Sequence, residues 1–244
     1  MNGITDNPAT PSRVDVWKMF DRIAPRYDLL NRLLSLRQDV AWRRKLGAML
    51  PDGETLDLLD LATGTGDQAL FLMERCPRII RAVGLDLSEG MLERGREKVS
   101  DAGLSHRLEL RNGDATIVPV PDASFDVITI SFGIRNVTSV ETALANMLRA
   151  LRPGGRLLVL ECSLPANALL RSAYLFYFRH VLPRIGGLIS GDADAYRYLN
   201  QTVESFPYGD AFCSLMRDAG FDKVGCTPLT LGVASIYRGD KPCT

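Results

Sequence analysis

The run Asp60-Leu61-Ala62-Thr63-Gly64-Thr65-Gly66-Asp67 limits what this chain can fold into more than any other stretch. It joins an apolar run to a helical pattern. Two glycines one residue apart permit a tight turn and let a ligand approach bare backbone. Such a turn needs a strand behind it and a helix N-terminus ahead of it, as in an α/β sheet. The flanking sequence repeats that rhythm: apolar runs at 55–62, 79–85, 108–111, 125–131 and 156–161 alternate with helical patterns at 68–75, 89–99 and 140–151. The alternation predicts right-handed crossovers and a parallel sheet covered on both faces. A helix at 210–219, closed by Gly220, precedes two last strands at 223–228 and 232–237.

Ahead of the sheet, Val16, Phe20 and Ile23, then Leu29, Leu30, Leu33 and Leu34, recur at helical spacing around a break at Pro25. A further helical stretch, 40–50, is closed by Pro51-Asp52-Gly53. After Glu161 the alternation stops, and 164–206 reads as helix and loop. The expectation is one α/β domain over 1–244, with a loose polar tail at 1–12, a helical arm at 13–50 and a helical cap inserted at 164–206.

Lys+Arg and Asp+Glu number 29 each, so binding to nucleic acid by charge alone is excluded. The balance is uneven along the chain. Residues 13–45 hold nine Lys/Arg against four Asp, and this +5 arm suggests a face with its own partner. Five scattered cysteines without a CxxC pair exclude a disulfide scaffold and a zinc ribbon and fit a reducing compartment. No apolar run approaches the roughly 18 residues of a membrane span, and the polar tail does not read as a signal peptide. A cytoplasmic protein without a metal site is expected.

Gly64-Thr65-Gly66-Asp67-Gln68-Ala69 also satisfies the G-x-G-x-x-A dinucleotide pattern, so electrostatics must choose the ligand. A nicotinamide dinucleotide would set a pyrophosphate here, beside Asp60 and Asp67, which repel it. S-adenosylmethionine offers an ammonium and a sulfonium, which carboxylates attract. A nucleoside triphosphate loop is excluded by the absence of Gly-Lys-Ser/Thr. Asp86, at the end of the second strand, is placed to accept ribose hydroxyls. Asp114, in Asn112-Gly113-Asp114-Ala115, is a candidate for the adenine amino group or a plain Asx turn. Ser131 closes the fourth strand on the same edge. No Asn-Pro-Pro-Tyr-like cluster follows it, and the lone Pro-Cys lies in the tail, so nucleic acid is a poor methyl acceptor.

Several further runs, read with the glycine turn, resemble the menaquinone/ubiquinone-biosynthesis C-methyltransferases. The likeness spans about 16–241. It is most specific in Met19-Phe20-Asp21-Arg22-Ile23-Ala24-Pro25-Arg26-Tyr27-Asp28, in Ser131-Phe132-Gly133-Ile134-Arg135-Asn136-Val137, and in cap motifs from Val181-Leu182-Pro183 to Phe206-Pro207. The resemblance implies a Rossmann-like class I S-adenosylmethionine-dependent methyltransferase fold, seven-stranded with the last strand antiparallel. It further implies cofactor contacts at Thr63, Asp86, Asp114, Ala115 and Ser131, alongside Asp60, Gly64 and Gly66 of the turn. The implied acceptor is a prenylated quinol methylated at a ring carbon, demethylmenaquinol or, alternatively, a methoxy-polyprenylbenzoquinol. Leu164 and Tyr237 depart from the family pattern, which often has Lys or Arg and His there.

For that chemistry Arg135 is the candidate phenolate stabiliser, with Asn136 and Tyr27 orienting the ring hydroxyls. The alternatives are a loop ion pair for Arg135 and a core tyrosine for Tyr27. Between Cys162 and Gly191 three arginines and no acid surround Leu169-Leu170 and a run of aromatics. With the basic arm, this suggests reversible contact with a membrane surface, or else a lid over the substrate. A second copy of the chain is a further candidate partner.

Overall fold

The computed structural model describes residues 16–24, 28, 32, 35–181, 184 and 193–243. The expected tail, Tyr27, and Leu29, Leu30, Leu33 and Leu34 of the arm lie outside them.

Seven strands form one sheet: β1 (Leu56–Leu61), β2 (Ile79–Asp86), β3 (Leu108–Asn112), β4 (Phe125–Ser131), β5 (Leu151–Cys162), β6 (Asp222–Leu229) and β7 (Ala234–Asp240). Their order is β3-β2-β1-β4-β5-β7-β6. The first five pair in parallel, and β7 enters antiparallel between β5 and β6, as expected. Reversal of β1's neighbours, with β2 on one side and β4 on the other, opens a crevice at the strands' carboxyl ends, where ligands of open α/β sheets bind.

Helices α3 (Asp67–Arg75), α4 (Glu89–Asp101) and α5 (Val140–Ala150) cross between strands; α8 (Asp210–Asp218) precedes β6. Strand periodicity divides the core. Leu59, Leu61, Ile128, Ile130, Leu157 and Val159 face α5 and α8. Leu56, Leu58, Val127, Leu158 and Leu160 face α3, α4 and α2 (Gln38–Gly47). Glycine matters where the glycine turn leans on the sheet: a Cβ at Gly84 would fall 2.4 Å from Leu110 Cδ2 and 2.9 Å from the Thr63 side chain.

The strand limits differ from expectation in two places. β5 starts at Leu151, not 156, because the chain leaves α5 directly through Pro153-Gly154-Gly155, whose lack of apolar side chains hides it from an apolar-run criterion. β7 is displaced to Ala234–Asp240 because Thr230–Gly232 forms a 3₁₀ turn. Its polar end is held by Arg156, which donates to Asp240 at 2.7 Å.

The arm contributes α1 (Val16–Ile23) and α2; the cap contributes α6 (Ala168–Phe176), a π-turn at Tyr177–Val181, and α7 (Ala193–Ser205). Val16 and Met19 of α1 pack with Phe178, Tyr198 and Val203 of the cap. Arm and cap therefore close on each other above the crevice. No helix of the described residues is long and apolar enough to cross a membrane.

Candidate active site

The glycine turn is bent before the glycines begin. Ala62 takes φ +47, followed by Gly64 at +56 and Gly66 at +77. A residue with a Cβ held at positive φ marks backbone that its surroundings over-determine. Two contacts hold it. Thr63 N–H donates to Leu85 O at 3.0 Å, and Asp86 Oδ2 accepts Gly64 N–H at 2.8 Å. Asp86 Oδ1 accepts Ser88 N–H at 2.9 Å, so this carboxylate braces the turn while lining the cleft. Burial pushes its pKa up, and the amides of Ser88, Gly64 and Leu87 pull it back. Each oxygen keeps a second lone pair for a diol.

Asp60 occupies an inward position of β1, on the same face as Leu58. It lies opposite Thr129 of β4 and is 1% exposed. Its two oxygens accept the hydroxyls of Thr129 and Thr63, each at 2.6 Å. Burial lifts its pKa to about 6 against the pull of those bonds and of Arg43. Asp60 thus ties β1, β4 and the turn together and acts on a ligand through its field.

Asp67 is spoken for. It pairs with Lys98, which also reaches Asp28 and Thr65 Oγ1, both at 2.9 Å. Lys98 offsets only one of these two carboxylates, so the cluster keeps a net negative charge beside the turn and adds to the field of Asp60. Asp114 Oδ1 accepts the Thr116 amide and hydroxyl at 2.7 Å, an Asx turn, while the residue also lines the cleft. Ala115 and Ser131 line it too, as does Gly64; Gly66 does not, and its positive φ starts α3. Thr63 faces a smaller recess behind the turn.

The acceptor side of the cleft is walled by Trp17 and Phe20 of the arm, Phe132, and Asn136. Tyr198 of the cap donates to Asn136 Oδ1 at 3.3 Å. Arg135 lies behind this wall, 6% exposed and paired with fully buried Glu161 of β5. Direct contact with a phenolate would require that pair to open. Burial of both charges makes the pair a fixture of the 3₁₀ turn Ile134–Asn136.

Residue types alone did not single out Trp17, Lys98 or Glu161. Nor did they single out Arg43 and Gln68, which meet behind the turn at 3.1 Å. A signal existed for Arg43: the buried stripe Asp39, Arg43, Leu46 puts a cation at an apolar helical spacing.

The ubiE/COQ5 methyltransferase family matches residues 9–241. A demethylmenaquinone methyltransferase of Thermus thermophilus is 48% identical over 224 residues, 92% of this chain and 100% of the relative. A ubiquinone/menaquinone biosynthesis C-methyltransferase of Geobacter sulfurreducens is 45% identical, over 91% of this chain and 87% of the relative. Among solved structures, a SAM-dependent methyltransferase of Thermotoga maritima superposes with a TM-score of 0.65 at 22% identity, covering 92% and 99% of the two chains. The [4+2]-cyclase SpnF superposes at 0.64 and 18% identity, covering 96% and 98%. These two likenesses fix the class I fold, and the cyclase shows that the fold alone does not fix the reaction.

Two outcomes follow from the buried charges. Asp60 binds its proton more tightly in the folded state, so its contribution to stability is full below about pH 4 and is lost as pH rises through about 6. In urea unfolding of the ligand-free protein, Asp60→Asn should gain roughly 2 kcal/mol on the parent between pH 4.5 and 7.5; a constant difference would show that Asp60 is ionised throughout. Arg135→Ala should cost about 3–5 kcal/mol by stranding the Glu161 carboxylate, and most of that should return in Arg135→Met with Glu161→Gln. A double variant no more stable than the single one would remove the pair from the account.

Proposed function

The chain belongs to the ubiE/COQ5 methyltransferase family, and we propose that it transfers the methyl group of S-adenosylmethionine to a ring carbon of a prenylated quinol, converting demethylmenaquinol to menaquinol. The observation that carries this is the 48% identity over the full length of the Thermus demethylmenaquinone methyltransferase, arm and cap included. A methoxy-polyprenylbenzoquinol is the second acceptor, on the strength of relatives named for both pathways.

The residues fit the cofactor. Gly64 leaves backbone open to the cleft, Asp86 and Asp114 present carboxylates along one side of it, and Asp60 supplies a negative field at the glycine end. Asp86 would hold the ribose diol, Asp114 and Ala115 the adenine, and Thr63, Gly64 and Ser131 the amino-acid end. When bound, S-adenosylmethionine supplies a methyl group made electrophilic by the sulfonium.

The chain's own residues then have three tasks. Trp17, Phe20 and Phe132 keep water from the reacting atoms. Asn136, whose carbonyl is engaged by Tyr198, has its Nδ2 left to donate to a quinol oxygen, which favours the phenolate. Arg135, held by Glu161, fixes the turn that carries Asn136. Tyr27 is the second candidate for a ring hydroxyl. The ring carbon must sit about 3–3.5 Å from the methyl carbon, in line with the breaking carbon–sulfur bond. The quinol hydroxyl would lose its proton to solvent, the ring carbon would take the methyl as the carbon–sulfur bond breaks and S-adenosylhomocysteine leaves, and a water molecule would accept the ring carbon's proton to restore aromaticity.

Purified protein given S-adenosylmethionine and short-chain demethylmenaquinol should yield a quinol one methyl group heavier by mass spectrometry. Binding of S-adenosylmethionine with no transfer to either quinol would overturn the assignment.

A prenyl tail keeps the acceptor in a bilayer, and Leu169, Leu170 and Phe176 of α6 are exposed. We place membrane contact there. The expected excess of cap charge is reduced by Arg179, which pairs with Glu204. The described basic residues of the arm include Arg43, which points inward. Vesicle pelleting should therefore keep a salt-resistant part that disappears in Leu169→Asp with Phe176→Asp. Negligible pelleting alongside full activity on detergent-dispersed quinol would leave arm and cap as a lid only.

A further inference from the structure

We propose that Arg43 and Gln68 form the site for the carboxylate of the cofactor's methionine end. This rests on S-adenosylmethionine being the cofactor, and it assigns a part of that molecule to residues outside the glycine turn.

Arg43 projects from α2 and Gln68 from the first turn of α3; they are 8% and 2% exposed. Gln68 Oε1 accepts from Arg43 Nη1 at 3.1 Å and from Ser131 Oγ at 3.2 Å. Two donors on one oxygen fix the orientation of the amide and commit Nε2 to a different direction. Neither Gln68 Nε2 nor Arg43 Nε has an acceptor among the described residues. A buried polar group left unmade is expensive, and a buried guanidinium without a carboxylate partner more so. Asp60 feels the charge of Arg43, but no hydrogen bond or ion pair joins the two; its oxygens are turned to the hydroxyls of Thr63 and Thr129.

Both side chains border a small recess with Thr63, Gly64 and three acids, Asp60 and the Asp28 and Asp67 that share Lys98, so an anion must lie on the Arg43–Gln68 side of it. The recess shares Ala62, Gly64, Ser131 and Phe132 with the main cleft. A ligand in the cleft can thus send one short arm past Gly64 to them. What two idle donors, one of them cationic, ask of that arm is an anion with two acceptor oxygens. A zwitterionic amino acid meets the requirement: its carboxylate takes Arg43 and Gln68, and its ammonium lies in the field of Asp60. The arm helix α2 would then be drawn onto α3 whenever cofactor is bound.

The decisive comparison uses two ligands that differ only by the amino-acid arm. S-adenosylhomocysteine carries the carboxylate and 5′-methylthioadenosine lacks it. By calorimetry, Arg43→Met should weaken S-adenosylhomocysteine at least thirtyfold and shift methylthioadenosine by less than threefold. Gln68→Glu separates folding from binding. Its new carboxylate pairs with Arg43, so the ligand-free protein should melt at a higher temperature while S-adenosylhomocysteine binds more weakly and methylthioadenosine is unchanged. Equal effects on both ligands, or none on either, would overturn the proposal. So would stabilisation of the parent by sulfate that is lost in Arg43→Met while the ratio of the two affinities stays constant; the site would then take a free anion only. Failure of the parent protein to bind either ligand or S-adenosylmethionine would instead refute the cofactor assignment on which the proposal stands.

Discussion

A carboxylate in the middle of the sheet organises the ligand-binding edge. Asp60 lies on the inward face of β1, where Leu58 two residues earlier is fully buried, and opposite Thr129 across the β1–β4 pair. An ionised carboxylate there is costly, which is why its pKa rises to about 6. Two threonine hydroxyls offset part of that cost, and one of them belongs to the turn. The bond from Thr63 therefore couples the shape of the glycine turn to the central strand pair. Asp86 repeats the device from the neighbouring strand by accepting the Gly64 amide. The turn is clamped by two acids that a cationic ligand also favours, so preorganisation and attraction come from the same groups.

Arm and cap complete the site from outside the sheet. Asp21 of α1 accepts the Ser88 hydroxyl and, at 3.1 Å, the Gly90 amide, so the arm caps the helix that follows Asp86. Val16 and Met19 then meet the cap's Phe178 and Tyr198 in a small apolar cluster separate from the sheet's two cores. Among the described residues this cluster has five buried side chains, far fewer than either core of the sheet.

How far the sequence disclosed this depended on what each residue's signal was made of. Strands and crossing helices were legible because burial on both faces demands continuous apolar runs, and the seven runs match seven strands. The limits of β5 and β7 were not, because Pro153-Gly154-Gly155 and Arg238-Gly239-Asp240 are paired through backbone and ion pairs that leave no apolar trace. Asp86, Asp114 and Ser131 were legible as strand-end polar residues. The charge of Asp67 is visible in the sequence, but Lys98, which it shares with Asp28, lies 31 positions on and reaches it only through the fold. Arg43 misled, counted among the basic residues of the arm although its helix turns it inward.

The two buried arginines show why charge must be read with its partner. Arg135 has Glu161, and the pair is closed: its energetic content is the penalty for breaking it, and it presents little net field to the cleft. Arg43 has a neutral amide, and that amide's oxygen is shared with Ser131. A folded chain keeps an incompletely satisfied cation out of water when the missing acceptor arrives from elsewhere, for otherwise the same volume filled by an apolar side chain would be more stable. Similar burial and identical chemistry thus give opposite assignments. The compensated arginine builds the wall of the site, and the uncompensated one waits for a ligand.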